Sequence, residues 1–218
     1  MTSGTEGFLN VRELRIRYWS YKLDRESISE VSRPPVVLFH GYSFSIDDWK
    51  RIGTLSLLTK NNHPVLALDL PSGKASRSDK SEFSDENEYS RFIEETFRKI
   101  GLIEGDITKS FVLVGPSMGG GLAISYALHR PKDILGLILI SPALKVTQDR
   151  ELSSLDIPTL LIWGEKDDVF PVEEYAQPLK AKLAHSKLVI LKNAGHAAYL
   201  DKPDEFHDIL LDFLEEIT

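Results

Sequence analysis

Residues 111–121, F-V-L-V-G-P-S-M-G-G-G, constrain this chain more than any other stretch. Four apolar residues run straight into Gly115-Pro116-Ser117-Met118-Gly119, and a helical pattern continues over 122–130. That succession predicts a buried strand, a sharp turn and a helix. In a G-x-S-x-G junction the turn is so tight that the serine takes a strained backbone conformation and its hydroxyl points out of the sheet. Side chains two residues before and after it would clash with each other and with neighbouring backbone, and Gly115 and Gly119 remove those clashes. Pro116 fixes its own φ and biases Gly115 towards extended geometry, which suits a strand end. The helix that follows aims its free N–H groups at the serine, where negative charge is stabilised. An ordinary glycine-rich turn has the same spacing, so the rest of the chain has to decide.

The rest of the chain reads as a frame for that junction. Residues 36–40, 65–70, 134–140, 159–163 and 188–191 are apolar runs and predict buried strands. Helical spacing recurs over 47–60, 89–100, 172–184 and 203–216. Strands that are apolar throughout and alternate with helices predict an α/β fold, a mostly parallel sheet covered on both faces. Residues 11–21 instead alternate, with Leu14, Ile16 and Tyr18 opposite Arg15, Arg17 and Trp19. That pattern predicts a half-exposed antiparallel strand near a sheet edge. Residues 24–35 read as a loop and 74–88, polar and serine-rich, as a mobile surface loop. With 218 residues, no internal repeat and no linker, the expectation is one domain over 1–218.

Composition removes several function classes. The formal net charge is −7 and there is no basic block, which argues against nucleic acid as the main partner. There is no cysteine, so disulfides, thiolate metal sites and cysteine nucleophiles are excluded. Histidines and acids show no two-ligand helical spacing, so neither a metal nor another cofactor is expected. No apolar run approaches the roughly 20 residues that a membrane helix needs. The first seven residues lack the apolar centre of a signal peptide, so the expectation is a cytoplasmic protein without membrane contact.

In an open α/β sheet, ligands collect at the carboxyl ends of the strands. The first buried strand there presents His40-Gly41-Tyr42, and the glycine-rich junction presents Ser117. Later strands present Gly164-Glu165-Lys166-Asp167-Asp168 and Asn193-Ala194-Gly195-His196. Serine, acid and histidine in that chain order predict Ser117 as nucleophile, His196 as base and then acid, and Asp167 as the group that orients the imidazole. Asp168 competes with Asp167, and the spacing from Gly164 favours Asp167. The oxyanion donors would be the backbone N–H groups of Met118 and Tyr42, with Gly41 allowing close approach. His40 reads as structural, and His63, His129, His185 and His207 as solvated. Tyr42, Phe44, Phe170 and Tyr199 are the aromatics available for pocket walls.

The chain resembles the α/β-hydrolase fold superfamily from end to end, through His40-Gly41, Asp69-Leu70-Pro71, Gly115 to Gly119, Gly164 to Pro171 and Gly195-His196. Within it the chain is similar to the small capless abhydrolase-14 type, which includes the transcription-factor-interacting factor B. That likeness rests on Phe44-Ser45 through Trp49 to Leu55, on Pro116-Ser117, and on Gly195-His196 followed by Tyr199-Leu200-Asp201-Lys202-Pro203. The resemblance implies a triad of Ser117, Asp167 and His196, carboxylic-ester hydrolase activity, and room for a protein partner. Two departures stand out. Gly115 and Gly119 replace the serines usual in that type, and Ser72-Gly73-Lys74-Ala75-Ser76 replaces the Gly-x-Gly-x-Ser that most hydrolases have after the proline. Only residues 141–156 separate two consecutive strands, too few for a crossover helix and an apolar lid together. A small-molecule ester with an acetyl to butyryl group is the expected substrate. Acyl transfer to a thiol or amine, and an interaction protein without activity, are the competing classes.

Overall fold

The computed structural model describes residues 4–23, 32–104, 107–108, 110–144 and 152–218. Strands β1 (Thr5–Val11) and β2 (Leu14–Tyr21) form an antiparallel hairpin. Then come β3 (Val36–Leu38), helices α1 (Ile46–Arg51) and α2 (Thr54–Lys60), and β4 (Val65–Leu68). Helix α3 (Glu86–Lys99) leads to a short ribbon, β5 (Ile103–Glu104) with β6 (Ile107–Thr108). The junction follows as β7 (Phe111–Pro116) and α4 (Met118–His129). The remainder is β8 (Ile134–Ile140), β9 (Thr159–Gly164), α5 (Gln177–Lys182), β10 (Ser186–Leu191), α6 (Ala198–Asp201) and α7 (Pro203–Glu216).

Eight strands make one sheet in the order β1-β2-β4-β3-β7-β8-β9-β10. Only β2 is antiparallel to its neighbours, β1 and β4; from β4 to β10 every pairing is parallel. The inner parallel strands β3, β4, β7, β8 and β9 are buried on both faces, whereas β10, expected to be buried, is the sheet edge and partly exposed, with Lys187 and Ile190 open to solvent. Val36, Leu38, Val112 and Val114 pack with Trp49, Leu58 and Leu210 from α1, α2 and α7. Val37, Leu113 and Leu139 pack on the opposite face with Phe97 of α3 and Tyr126 of α4. The chain leaves β3 towards β4 on one side and returns to β7 on the other. The carboxyl ends of β3 and β7 therefore flank the crevice where such sheets bind ligands.

Several expectations need correction. Residues 47–60 are two helices, broken at Ile52-Gly53, where Gly53 takes a left-handed φ of 85°. The edge strand β1 precedes the expected alternating run, and Arg17, expected on an exposed face, is 1% exposed. The supposed mobile loop at 74–88 is tied down: Ser76 and Ser78 are buried, and the Lys80 ammonium donates to the carbonyls of Gly73 and Ser76. Its last residues already belong to α3, capped by the Asp85 carboxylate accepting from Glu88 N–H. Residues 172–184 open with a π turn, Val172–Ala176, before α5. Among the described residues no cap domain is inserted, and only the turn Leu152–Ser154 lies between β8 and β9. Residues 24–31 of the expected loop and 145–151 of the crossover lie outside the described residues. No helix among the described residues is long and apolar enough to cross a membrane.

Candidate active site

The junction builds the site. Ser117 sits between β7 and α4 with φ 48° and ψ −118°, a conformation that costs a non-glycine residue about 1–3 kcal/mol. It is held there by Ser117 N–H donating to Ile140 O at 2.9 Å and by Ala143 N–H donating to Ser117 O at 2.9 Å. A Cβ on Gly119 would lie 2.7 Å from His40 O, and one on Gly115 would collide with the Gly119 backbone. Both positions therefore need glycine for the turn to close against β3.

Ser117, His196 and Asp167 are hydrogen-bonded in series. His196 Nε2 is 3.0 Å from Ser117 Oγ, and Nδ1 is 2.9 Å from Asp167 Oδ2 and 3.1 Å from Oδ1. A carboxylate only accepts, so Nδ1 carries the proton and Nε2 is free to accept from the serine hydroxyl. The Asp167 side chain is fully buried, and its Oδ1 also accepts from Val169 and Phe170 N–H at 3.0 and 2.9 Å. Asp168 is exposed and stands apart from this series. The histidine loop is braced twice: Gly195 N–H donates to Asp201 Oδ2 at 2.8 Å, and Asn193 N–H to Glu165 Oε2 at 2.9 Å. Glu165 thus ties two loops together.

On the other side of Ser117, Gly41 lies so close that a Cβ on it would be 3.7 Å from Ser117 Cβ. Its loop is clamped by His40, whose Nδ1–H donates to Gly41 O and whose Nε2 accepts from Leu70 N–H, both at 2.8 Å. Burial holds the His40 pKa below the ordinary value, so the clamp is a neutral imidazole. Among the described residues no protein acceptor engages the N–H of Tyr42 or Met118. Of the other histidines, His63 is 1% exposed and donates to Pro34 O, which corrects its expected solvation. His207 is half-buried against Thr54, and His129 pairs with Glu94.

A cavity of about 440 Å³ opens beside Met118. Phe83, Tyr89, Leu122 and Leu144 line it, with Ser72 Oγ 2.8 Å from Tyr89 Oη. None of the four expected wall aromatics lines it. Tyr42 is 55% exposed, and Phe170 packs edge-on to the His196 ring at 5.1 Å. Phe44 packs against Tyr199, and Tyr199 is a core residue, 1% exposed and tilted at 38° against Trp49 with ring centroids 4.7 Å apart. Part of the actual wall comes from the polar stretch 74–88, whose one aromatic is Phe83. No group of His, Asp and Glu able to hold a metal occurs among the described residues.

This arrangement of sheet, strained serine turn and hydrogen-bonded series defines a protein class. The α/β hydrolase fold family matches residues 34–153 and 145–203, and the chain belongs to it. Within the family it is akin to the ABHD14 proteins. It is 32% identical over 191 residues to Protein ABHD14A of Rattus norvegicus, spanning 87% of this chain and 75% of that one. It is 27% identical over 219 residues to the putative protein-lysine deacylase ABHD14B of the same organism, spanning 98% and 97%. Among solved structures, a CIB-like hydrolase from Thermoplasma acidophilum superimposes with a TM-score of 0.85 at 29% identity, covering 98% of this chain and 99% of that one.

Proposed function

We propose that this chain is a serine hydrolase that cleaves carboxylic esters through an acyl-serine at Ser117. The observation that carries the reading is the series Ser117–His196–Asp167 beside the two unengaged N–H groups of Tyr42 and Met118. Ser117 Oγ attacks the ester carbonyl carbon while His196 Nε2 takes its proton. The carbonyl electron pair moves to oxygen, where the two N–H groups stabilise it; one such donor contributes about 2.7–4 kcal/mol. Collapse breaks the bond to the alcohol, which leaves with the proton from His196. Water then attacks the acyl carbon, gives a proton to His196, and releases the acid and Ser117. Asp167 keeps the proton on Nδ1 throughout and stabilises the imidazolium.

A second reading uses the same acyl-serine with an amine leaving group, an N-acyl-lysine. It is favoured by the name of the relative that matches over nearly its full length. A fluorophosphonate probe and a paired panel of esters and acyl-lysine peptides test both. The probe is expected to label Ser117 alone, and Ser117→Ala to lose at least about four orders of magnitude in turnover. Wild-type turnover by Ser117→Ala rejects the nucleophile; absence of labelling in folded protein favours an interaction protein. Acylated coenzyme A or amine as the main product would point to transfer.

A further inference from the structure

The cavity begins at Met118, the residue next to Ser117, and Ser117 itself is not among the residues that line it. Its walls come from the segment after β4, the start of α3, the first turns of α4 and the segment after β8. No residue of the loops carrying Asp167 and His196 lines it. Under the acyl-serine reading, His196 hands its proton to the departing alcohol, so the leaving group lies on the histidine side. The acyl chain must then run the other way, past Met118 and along Leu122.

The wall it meets is apolar. Phe83 stacks on Tyr89 with ring centroids 4.0 Å apart, facing Leu122 and Leu144. At about 30 Å³ per heavy atom, the share of a liquid water molecule, 440 Å³ would hold about fifteen atoms if filled completely. An acyl chain of about six to eight carbons takes about half of that space and leaves the remainder to water. Glu82 and Asp85, both exposed, also line the cavity, and their charge repels an anionic chain end.

We propose that this cavity is the acyl-chain site, selecting an uncharged acyl group of about six to eight carbons. The proposal rests on the acyl-serine reading, and it replaces the acetyl-to-butyryl expectation, which counted on other walls.

The test is kcat/KM for p-nitrophenyl acetate, butyrate, hexanoate, octanoate and dodecanoate with the wild type, Leu122→Trp and Phe83→Ala. In the wild type kcat/KM should rise at least about tenfold from acetate to a maximum at hexanoate or octanoate, each methylene that leaves water adding up to about fourfold. Leu122→Trp fills the cavity and should cut the octanoate-to-acetate ratio at least about fivefold. Phe83→Ala lengthens it and should move the maximum towards dodecanoate. The mono-p-nitrophenyl ester of octanedioic acid should turn over at least about tenfold more slowly than octanoate. A wild-type maximum at acetate or butyrate, or a length profile unmoved in both variants, overturns the acyl-site assignment while leaving Ser117 in its role. Turnover that survives Ser117→Ala overturns the reading beneath it.

Discussion

The Tyr199 hydroxyl is buried, and among the described residues it has no hydrogen-bond partner. Its ring is held between Trp49 and Phe206, and desolvation pushes its pKa well up. Leaving a buried hydroxyl unpaired costs about 1–3 kcal/mol, so removing it should help. Tyr199→Phe is expected to raise stability by about 1 kcal/mol, read as a higher urea midpoint at constant slope. A tyrosine in a pocket wall would behave differently: the same substitution would move KM and leave the midpoint alone. Met118, by contrast, does two jobs at one position. Under the proposed mechanism its N–H would serve the oxyanion, and the residue also lines the cavity. Spacing around Ser117 points to the first job, but the second depends on what lies opposite, which no local pattern reveals.

At the level of elements, the weakest part of the sequence reading is the first hairpin. Alternation over 11–21 puts Arg17 on a solvent face, yet its guanidinium is buried among carboxylates from three other segments. It donates to Asp69 Oδ2 at 3.1 Å, to Asp47 Oδ1 at 2.7 Å and to Glu6 Oε1 at 2.7 Å. Asp69 in turn accepts from Ile46 N–H at 2.8 Å and Arg77 N–H at 2.9 Å. This cluster fastens β1, β2 and the end of β4 to the start of α1, and so fixes the far end of the loop that carries Tyr42. The parallel strands were legible because burial on both faces leaves an unbroken apolar run. Ser117 and Asp167 were legible because each follows such a strand, and His196 because it follows β10, apolar over 188–191 although partly exposed. Arg17 was not, since a charge neutralised by distant partners looks the same in sequence as a solvated one. The wall residues Phe83 and Tyr89 were missed for a related reason: their neighbours are polar, and only the anchoring of 74–88 brings them over the site. Arg17→Met should cost about 3–5 kcal/mol, because it strands the buried Asp69 charge. Adding Asp69→Asn removes that charge and should recover part of the loss, again by urea midpoint. If the double variant is as unstable as the sum of the two single variants, the charge-pair account is wrong.

For the whole molecule, the buried His40 and His63 and the half-buried His207 link stability to pH. His40 clamps the β3 loop to the segment after β4, and His63 joins the start of β4 to Pro34 before β3. Burial is the largest influence on His40 and His63 and lowers their pKa, outweighing the opposing pull of Asp69 on His40 and of the Pro34 carbonyl on His63. The unfolded chain takes up these protons near the ordinary histidine value of about 6.5, whereas the native state resists them. Between the two values the unfolded state binds more protons, so stability rises with pH and is lost as pH falls below about 6.5. Each histidine contributes up to about 1.4 kcal/mol per pH unit in that window. Glu6 and Asp47 have pKa values lowered chiefly by their hydrogen bonds to Lys50 and Arg17, respectively. They act in the same direction, but their window opens only near the ordinary carboxylate values of about 4. Urea unfolding followed by tryptophan fluorescence at pH 7.5, 6.5 and 5.5 isolates the histidines. Stability should be level from 7.5 to near 6.5 and fall towards 5.5, and His63→Gln should reduce the fall by about a third if His40, His63 and His207, whose pKa burial also lowers, contribute alike. A flat profile down to pH 5.5, or a His63→Gln slope equal to that of the wild type, would show that the native state accepts these protons as readily as the unfolded chain.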